Sequence, residues 1–262
     1  MDERTRLFAI QSMKLYFSIL VLWAVVALAT AVYLFVRPAP YGRHHRTGFG
    51  PVLGARLAWL IMEAPSPVGM VLFFLAGNRP GNLVAQVFLG LWLLHYGYRA
   101  FVYPWLLSAS SRPMPVMVVV SGAFFNLVNA HLNGRWLFAL GPRLSAVWLT
   151  SAAFVLGTGM FVVGLAVHVL ADRELRQVRR ASGGRRGVPV GPLFRWVSCP
   201  NYAGEIFEWA GFAIATWSPG GLIFLVWTVA NLVPRAVHHH RWYRAQFADY
   251  PHDRRAVVPW LL

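Results

Sequence analysis

The chain has 262 residues, 57% of them hydrophobic and only 13% charged, against the roughly 25% charged fraction of a soluble domain, which excludes an ordinary water-soluble fold. Its net charge of +15 does not make it a nucleic-acid binder, because the arginines stand beside apolar runs and no DNA- or RNA-binding motif accompanies them. The single cysteine, Cys199, excludes an intramolecular disulfide and a cysteine-built zinc site.

An uncharged apolar stretch of about 18 residues or more can cross a bilayer as a helix. The first, Leu15 to Val36, follows Arg4, Arg6 and Lys14. It exceeds the usual core of a cleaved signal peptide and reads as a retained span. The second, roughly Leu57 to Ala76, carries Glu63 between Trp59 and the break Pro65-Ser66-Pro67. Ionisable groups at membrane depth cost at least about 2.5 to 3.5 kcal/mol, so they normally face a polar interior and mark function. The prolines free backbone carbonyls and open the span, which suits a cavity. A carboxyl group there is expected to keep its proton near neutral pH and to donate a hydrogen bond to a substrate oxygen. The third span, roughly Leu83 to Leu107, holds His95-Tyr96-Gly97-Tyr98-Arg99 and Tyr103. At about 100° per residue, Tyr96, Arg99 and Tyr103 share one narrow face, although Tyr98 and Tyr103 read equally well as interface anchors.

The fourth span is Pro113 to Gly134 and the fifth Leu144 to Ala171. The fifth continues past its end, where His168, Asp172 and Arg179 share a helical stripe with Arg176 at its edge; a solvated helix end would look much the same. Gly157-Thr158-Gly159 inside it reads as helix packing. A flexible basic loop, Ser182 to Pro189, leads into the densest motif of the chain, Gly191 to Gly211. Pro200 suits a helix start, after which Asn201, Glu205 and Glu208 recur on one face. The uncharged run Trp209 to Pro234 is split by Ser218-Pro219-Gly220-Gly221 and reads as a helical hairpin, which brings the expected spans to seven. In the tail, His238-His239-His240 cannot all bind one ion from a helix, since consecutive side chains point about 100° apart. With Arg235 and Tyr243 they suit phosphate and ribose contacts better.

Seven spans put the termini on opposite sides. Arg37, Arg43, Arg46, Arg56, Arg112, seven arginines from Arg173 to Arg195 and five from Arg235 to Arg255 then share one side, which the positive-inside rule makes cytoplasmic. The expected architecture is therefore an all-α integral membrane protein with seven transmembrane helices, the N-terminus outside and the C-terminus cytoplasmic, with residues 1–262 as a single domain. Arginine far outnumbers lysine, which points to a GC-rich, bacterial genome and so to a bacterial inner membrane, or to the endoplasmic reticulum if the source is eukaryotic. No Gly-x-Gly-x-x-Gly follows a strand and no sheet is expected, so nicotinamide binding cannot be argued from a Rossmann motif.

In their joint order these pieces resemble the membrane-bound steroid 5α-reductases. The resemblance rests on Asn201-Tyr-Ala-Gly-Glu205-Ile-Phe-Glu208-Trp, Ala215-Thr-Trp-Ser218, His238-His-His-Arg-Trp-Tyr243 and Asp249-Tyr-Pro251. Toward the N-terminus it adds Leu94-His-Tyr96 with Arg99 and Phe101-Val-Tyr103, and Ala58-Trp59 with Glu63 and Pro65. It covers nearly the whole chain, with a C-terminal lobe of about residues 144–262 similar to the family's NADPH-binding part. Carried over by position, Asp172, Arg179, Asn201, Glu205, Arg235, His239 and Tyr243 are expected to contact NADPH, joined by Arg99, Arg112 and His168. Glu63 and Tyr96 are expected to bind the 3-oxo group of a steroid, with Trp59 and Phe125 as walls of the steroid pocket.

The implied reaction delivers hydride to C5 of a Δ4-3-oxo steroid while Tyr96 and protonated Glu63 stabilise the enolate oxygen; neither metal nor flavin is required. The excess of arginine favours NADP over NAD, because a 2′-phosphate needs cationic partners. The chain departs from the members' pattern at His168, Met62, Ser121 and Asn231, which leaves substrate preference open. Other readings are an isoprenylcysteine-type methyltransferase using S-adenosylmethionine, a sterol double-bond reductase, or a transporter or scaffold whose intramembrane carboxyls relay protons. The steroid or sterol-like enone and the lipid bilayer are the expected partners, with no nucleic acid.

Overall fold

A computed structural model describes residues 3–44, 48–108, 111–182 and 187–262. Arg46 and residues 183–186 of the expected basic loop lie outside the described residues. Helix α1 is Glu3–Val36. Helices α2, Ala55–Glu63, and α3, Pro65–Ala76, form one rod interrupted at Ala64, because Pro65 has no N–H to continue the helix but suits the first position of a new one. Helix α4, Leu83–Tyr96, runs into a π-helical turn, Gly97–Val102, and then a short α5, Tyr103–Leu106. Helix α6, Val116–Arg135, also ends in a π turn, Trp136–Leu140. Helices α7, Ala152–Ala181, α8, Pro200–Thr216, and α9, Pro219–Gln246, complete the set.

Five stretches are long and apolar enough to cross a membrane by length and composition: Ala9–Val36, Ala55–Ala76, Val116–Leu140, Ala152–Ala181 and Pro219–Gln246. The other two expected spans correspond to α4, with 14 residues, and α8, with 17. Leu22, Val32, Leu72, Val120 and Leu156 are each more than half exposed, a liability in water and the ordinary condition of a side chain facing lipid tails. The chain is a predominantly helical, multi-pass membrane protein.

Two sequence expectations are corrected. The fifth span begins at Ala152 rather than Leu144, because residues 146–150 form a 3₁₀ turn and the Ser151 hydroxyl caps α7 by accepting from the Phe154 N–H at 3.1 Å. Trp148 of that turn donates its indole N–H to the Ala215 carbonyl at 2.9 Å, laying the segment across the end of α8. The expected absence of a sheet also fails in a small way: β1, Val52–Leu53, and β2, Met114–Pro115, form an antiparallel ribbon. It satisfies backbone groups of two loops that meet beside the site, as buried amides require.

Helix association in lipid depends on close packing and polar contacts rather than on removal of apolar surface from water. The α7–α8 pair shows how. Glycines 157 and 164 of α7 oppose glycines 211 and 204 of α8, and a methyl group added at Gly204 would stand 2.6 Å from the His168 backbone nitrogen. The two backbones touch, which brings the polar stripe of α7 against that of α8. The expected hairpin is present: Trp217 adopts the left-handed conformation, φ 46°, and the Ser218 hydroxyl caps α9 from the Gly221 N–H at 3.0 Å. Helix α1 lies along α9, joined by the Trp227 indole N–H on the Trp23 carbonyl, 3.0 Å. Between these layers sits an aromatic core that includes Trp92, Phe161, Trp209, Phe212 and Phe224.

Candidate active site

A cavity of about 530 Å³ opens where α7, α8 and α9 end beside α2, the π turn after α4 and the α1–α2 loop. Its wall carries Trp59, Arg99, Arg112, His168, Asp172, Arg179, Asn201, Glu205, Arg235, His239 and Tyr243, the residues singled out from sequence with three exceptions. Arg176, Tyr41, Ser198 and Tyr202 line it as well.

The polar groups hold one another across helices. Asn201 donates its amide to Asp172 Oδ1 at 3.0 Å. His168 lies 3.5 Å from Asp172 through Nε2 and 3.5 Å from Glu205 through Nδ1. Arg235 packs over the Tyr41 and Tyr202 rings, 4.6 and 5.6 Å to the centroids, and donates to the Tyr41 hydroxyl. The stripes expected on α7 and α8 therefore converge, and the glycine seam is the cause.

Two of the exceptions, Glu63 and Tyr96, lie behind the wall. Arg99 connects them to it: its Nε is 3.4 Å from Glu63 Oε1, its Nη1 is 3.9 Å from Asp172 Oδ2, and its guanidinium covers the Trp59 and Tyr103 rings at 4.3 and 5.0 Å. The Tyr96 hydroxyl donates to Asn126 Oδ1 at 3.1 Å, and Asn126 Nδ2 donates to Glu63 Oε2 at 3.2 Å and to the Met62 carbonyl at 2.7 Å. A buried carboxyl and phenol thus share one amide and one arginine. The single narrow face expected for Tyr96, Arg99 and Tyr103 presumed a continuous α-helix. The π turn from Gly97 to Val102 replaces it, so Arg99 and Tyr103 pack together toward the cavity while Tyr96 turns to α6. Such turns are frequent at functional sites.

The third exception is Phe125, which packs among Trp23, Phe224 and Trp227, with centroids 5.2 to 6.2 Å away, and does not line the cavity. The tail histidines separate: His238 Nε2 meets the Leu34 carbonyl at 2.9 Å, His239 stacks on His44 at 5.2 Å, and His240 Nδ1 meets Ser198 Oγ at 2.7 Å. Among the described residues, His95, His168 and Glu208 offer metal-ligand atoms within 4.8 Å of one another, but His95 Nδ1 and Glu208 Oε1 already share a hydrogen bond of 2.8 Å.

Sequence reasoning missed Asn126 and Tyr41. Asn126, Asn129 and Asn133 do recur on one face of an otherwise apolar run, and that spacing was the available signal. Tyr41 lies in a loop without periodicity and carried none.

An apolar helix bundle with a charged cavity, backed by a buried carboxyl and phenol, defines the class: a multi-pass membrane enzyme. The model of one family, described as 3-oxo-5-alpha-steroid 4-dehydrogenase, matches residues 112–262. Steroid 5-alpha-reductase DET2 of Gossypium hirsutum is 39% identical over 241 residues, covering 90% of this chain and 93% of that protein. 3-Oxo-5-alpha-steroid 4-dehydrogenase 2 of Sus scrofa is 38% identical over 243 residues, covering 90% and 92%, and 3-oxo-5-alpha-steroid 4-dehydrogenase 1 of Rattus norvegicus is 34% identical over 226 residues, covering 86% of each. The chain belongs to the 3-oxo-5-alpha-steroid 4-dehydrogenase family and is an oxidoreductase. These three relatives come from eukaryotes and give the expected bacterial origin no support.

Proposed function

We propose that this enzyme uses NADPH to reduce the Δ4 double bond of a 3-oxo steroid or similar enone to the 5α-dihydro product. The names of its relatives supply the substrate class. The observation that carries the assignment of roles is the chain of contacts from Tyr96 through Asn126 and Glu63 to Arg99, which joins a buried oxygen-binding pair to the charged wall.

The wall suits a phosphate-bearing nicotinamide cofactor. Arg112, Arg176, Arg179 and Arg235 offer planar donor forks for phosphate oxygens, while Asp172, Asn201 and Glu205 offer acceptors for ribose and amide hydrogens. A volume of about 530 Å³ falls within the roughly 300–1,000 Å³ of ligand pockets. When bound, NADPH supplies the hydride that reaches C5. Tyr96 and a protonated Glu63 would donate to the 3-oxo oxygen as negative charge develops there, each such donor being worth about 2.7 to 4 kcal/mol. The Arg99 guanidinium beside Glu63 adds a cation near that charge, and a proton taken up at C4 completes the balance. Trp59 would form one wall of the steroid site, and Phe125 would act from the layer behind it.

The reading includes the full topology: seven spans, with α4 and α8 crossing as short helices, the N-terminus outside and the basic face with the cavity cytoplasmic. The membrane would be a bacterial inner membrane or the endoplasmic reticulum. Membranes containing the protein, supplied with NADPH and testosterone or progesterone, are expected to yield 5α-dihydro product, resolved by mass and stereochemistry. Glu63→Gln and Tyr96→Phe are each expected to lower kcat by about 10²- to 10³-fold. Unchanged turnover in both variants would reject the pair, and methyl transfer without NADPH oxidation would reject the reductase reading.

A further inference from the structure

Asn126 sits on α6, is almost fully buried, and contacts both members of the proposed oxygen-binding pair. Its orientation follows from chemistry. A carbonyl oxygen cannot donate, so the Asn126 atom 2.7 Å from the Met62 carbonyl is the NH₂ nitrogen. The amide oxygen then faces Tyr96, whose single hydroxyl hydrogen points at it. The second amide hydrogen meets Glu63 Oε2, which therefore accepts. Glu63 Oε1 faces Arg99, 3.4 Å from its Nε, so each carboxyl oxygen already has a donor beside it and keeps one further lone-pair position.

Resting on the enone-reductase reading, we propose that Asn126 is a positioning residue. Anchored on Met62, it sets Tyr96 as a donor and holds the Glu63 carboxyl beside it through Oε2. In the substrate-free enzyme Asn126 Oδ1 occupies the place of an acceptor for the tyrosine hydrogen. An arriving 3-oxo oxygen replaces it, exchanging one acceptor for another without exposing an unpaired donor. The backbone carbonyl of Met62 matters because it belongs to the same helix turn as Glu63, so the amide registers α6 against the end of α2 where the carboxyl stands.

The isosteric variant Asn126→Asp tests this. Ionised, the new carboxylate can only accept; it grips the Tyr96 hydrogen and opposes both the Met62 carbonyl and Glu63 Oε2. Protonated, its O–H donates to Met62 while its carbonyl oxygen accepts from Tyr96, restoring most of the arrangement. The expected result is a kcat reduced on the order of 100-fold at neutral pH, the scale of an approximately 1 Å misplacement, recovering as pH falls and lost again as pH rises. The KM for NADPH should stay at the wild-type value, because the cavity wall is untouched. Asn126→Ala should lose kcat without recovering at low pH. Thermal melting with NADPH present establishes that both variants are folded.

A folded Asn126→Asp protein with the wild-type kcat and pH profile would overturn the inference while leaving the reductase reading intact. So would an equal loss at every pH, the mark of a merely structural role. Failure of the wild-type protein to reduce an enone with NADPH would instead remove the reading on which the inference rests.

Discussion

Arg99 is the residue through which the cavity and the buried pair communicate. One planar guanidinium reaches Glu63, approaches Asp172 and lies on two aromatic rings, a set of contacts that a lysine cannot reproduce with a point charge. Arg99→Lys is therefore expected to lower kcat/KM by about tenfold, equivalent to about 1.4 kcal/mol, in steady-state assays with the melting temperature preserved. Much of this level was legible in the sequence. Glu63, Arg99 and Glu205 are conspicuous because a charge inside an apolar run is costly, whereas Asp172 lies past the end of its run, where a solvated helix end looks much the same. Asn126 was not conspicuous, since an amide carries no charge to betray it and its spacing with Asn129 and Asn133 was the one signal available. The connection from Glu63 to Asp172 was hidden for another reason: it passes through a π turn, and periodicity arguments assume the turn they are trying to find.

At the scale of elements, the α7–α8 seam separates two glycines that look alike in sequence. A methyl group at Gly157 would collide with Ala215 and the Gly211 carbonyl, whereas at Gly159 it would meet open space. Gly157→Ala is expected to cost about 1–3 kcal/mol through overpacking and to weaken NADPH binding, since it separates Asp172 from Asn201. Gly159→Ala should be neutral or stabilising by about 0.5–1 kcal/mol; thermal melting with and without NADPH distinguishes the two.

Another element-scale device is Arg79, which donates to the carbonyls of Leu137, Ala139, Gly141 and Pro142 and so terminates the π turn after α6. Burial and nearby Arg143 draw its pKa down from the ordinary arginine value. A lysine starts from a lower value and lacks the fork. Arg79→Lys should lower the melting temperature, with a stability loss of about 1–3 kcal/mol as buried carbonyls lose partners. The sequence marked Gly157-Thr158-Gly159 as packing but could not say which glycine touches.

For the whole molecule, long apolar runs announced the five membrane-length helices, and turn residues announced the hairpin between α8 and α9. Helix α8 was less legible because Asn201, Glu205 and Glu208 interrupt its apolar pattern, and α4 falls short of membrane length because the π turn at Gly97 ends it after 14 residues. The proposed orientation is open to chemical labelling. Cys199 is buried, so a cysteine introduced at exposed Ser145 should react with an impermeant maleimide in intact cells, while one at exposed His252 should react only after permeabilisation. The reverse pattern would invert the topology.

The segment from Trp196 to Cys199, which carries two residues of the cavity wall, is laced to a much later stretch: Arg255 donates to the Trp196 carbonyl, Ser198 to that of Arg255 and Cys199 to that of Ala256. During synthesis this edge of the pocket has no partner until both helices of the hairpin have been threaded and their trailing strand has come back alongside. Assembly of the pocket is thus deferred to the last stage of membrane insertion, and a nascent chain arrested in α9 would hold a nearly complete bundle whose cavity still lacks one edge.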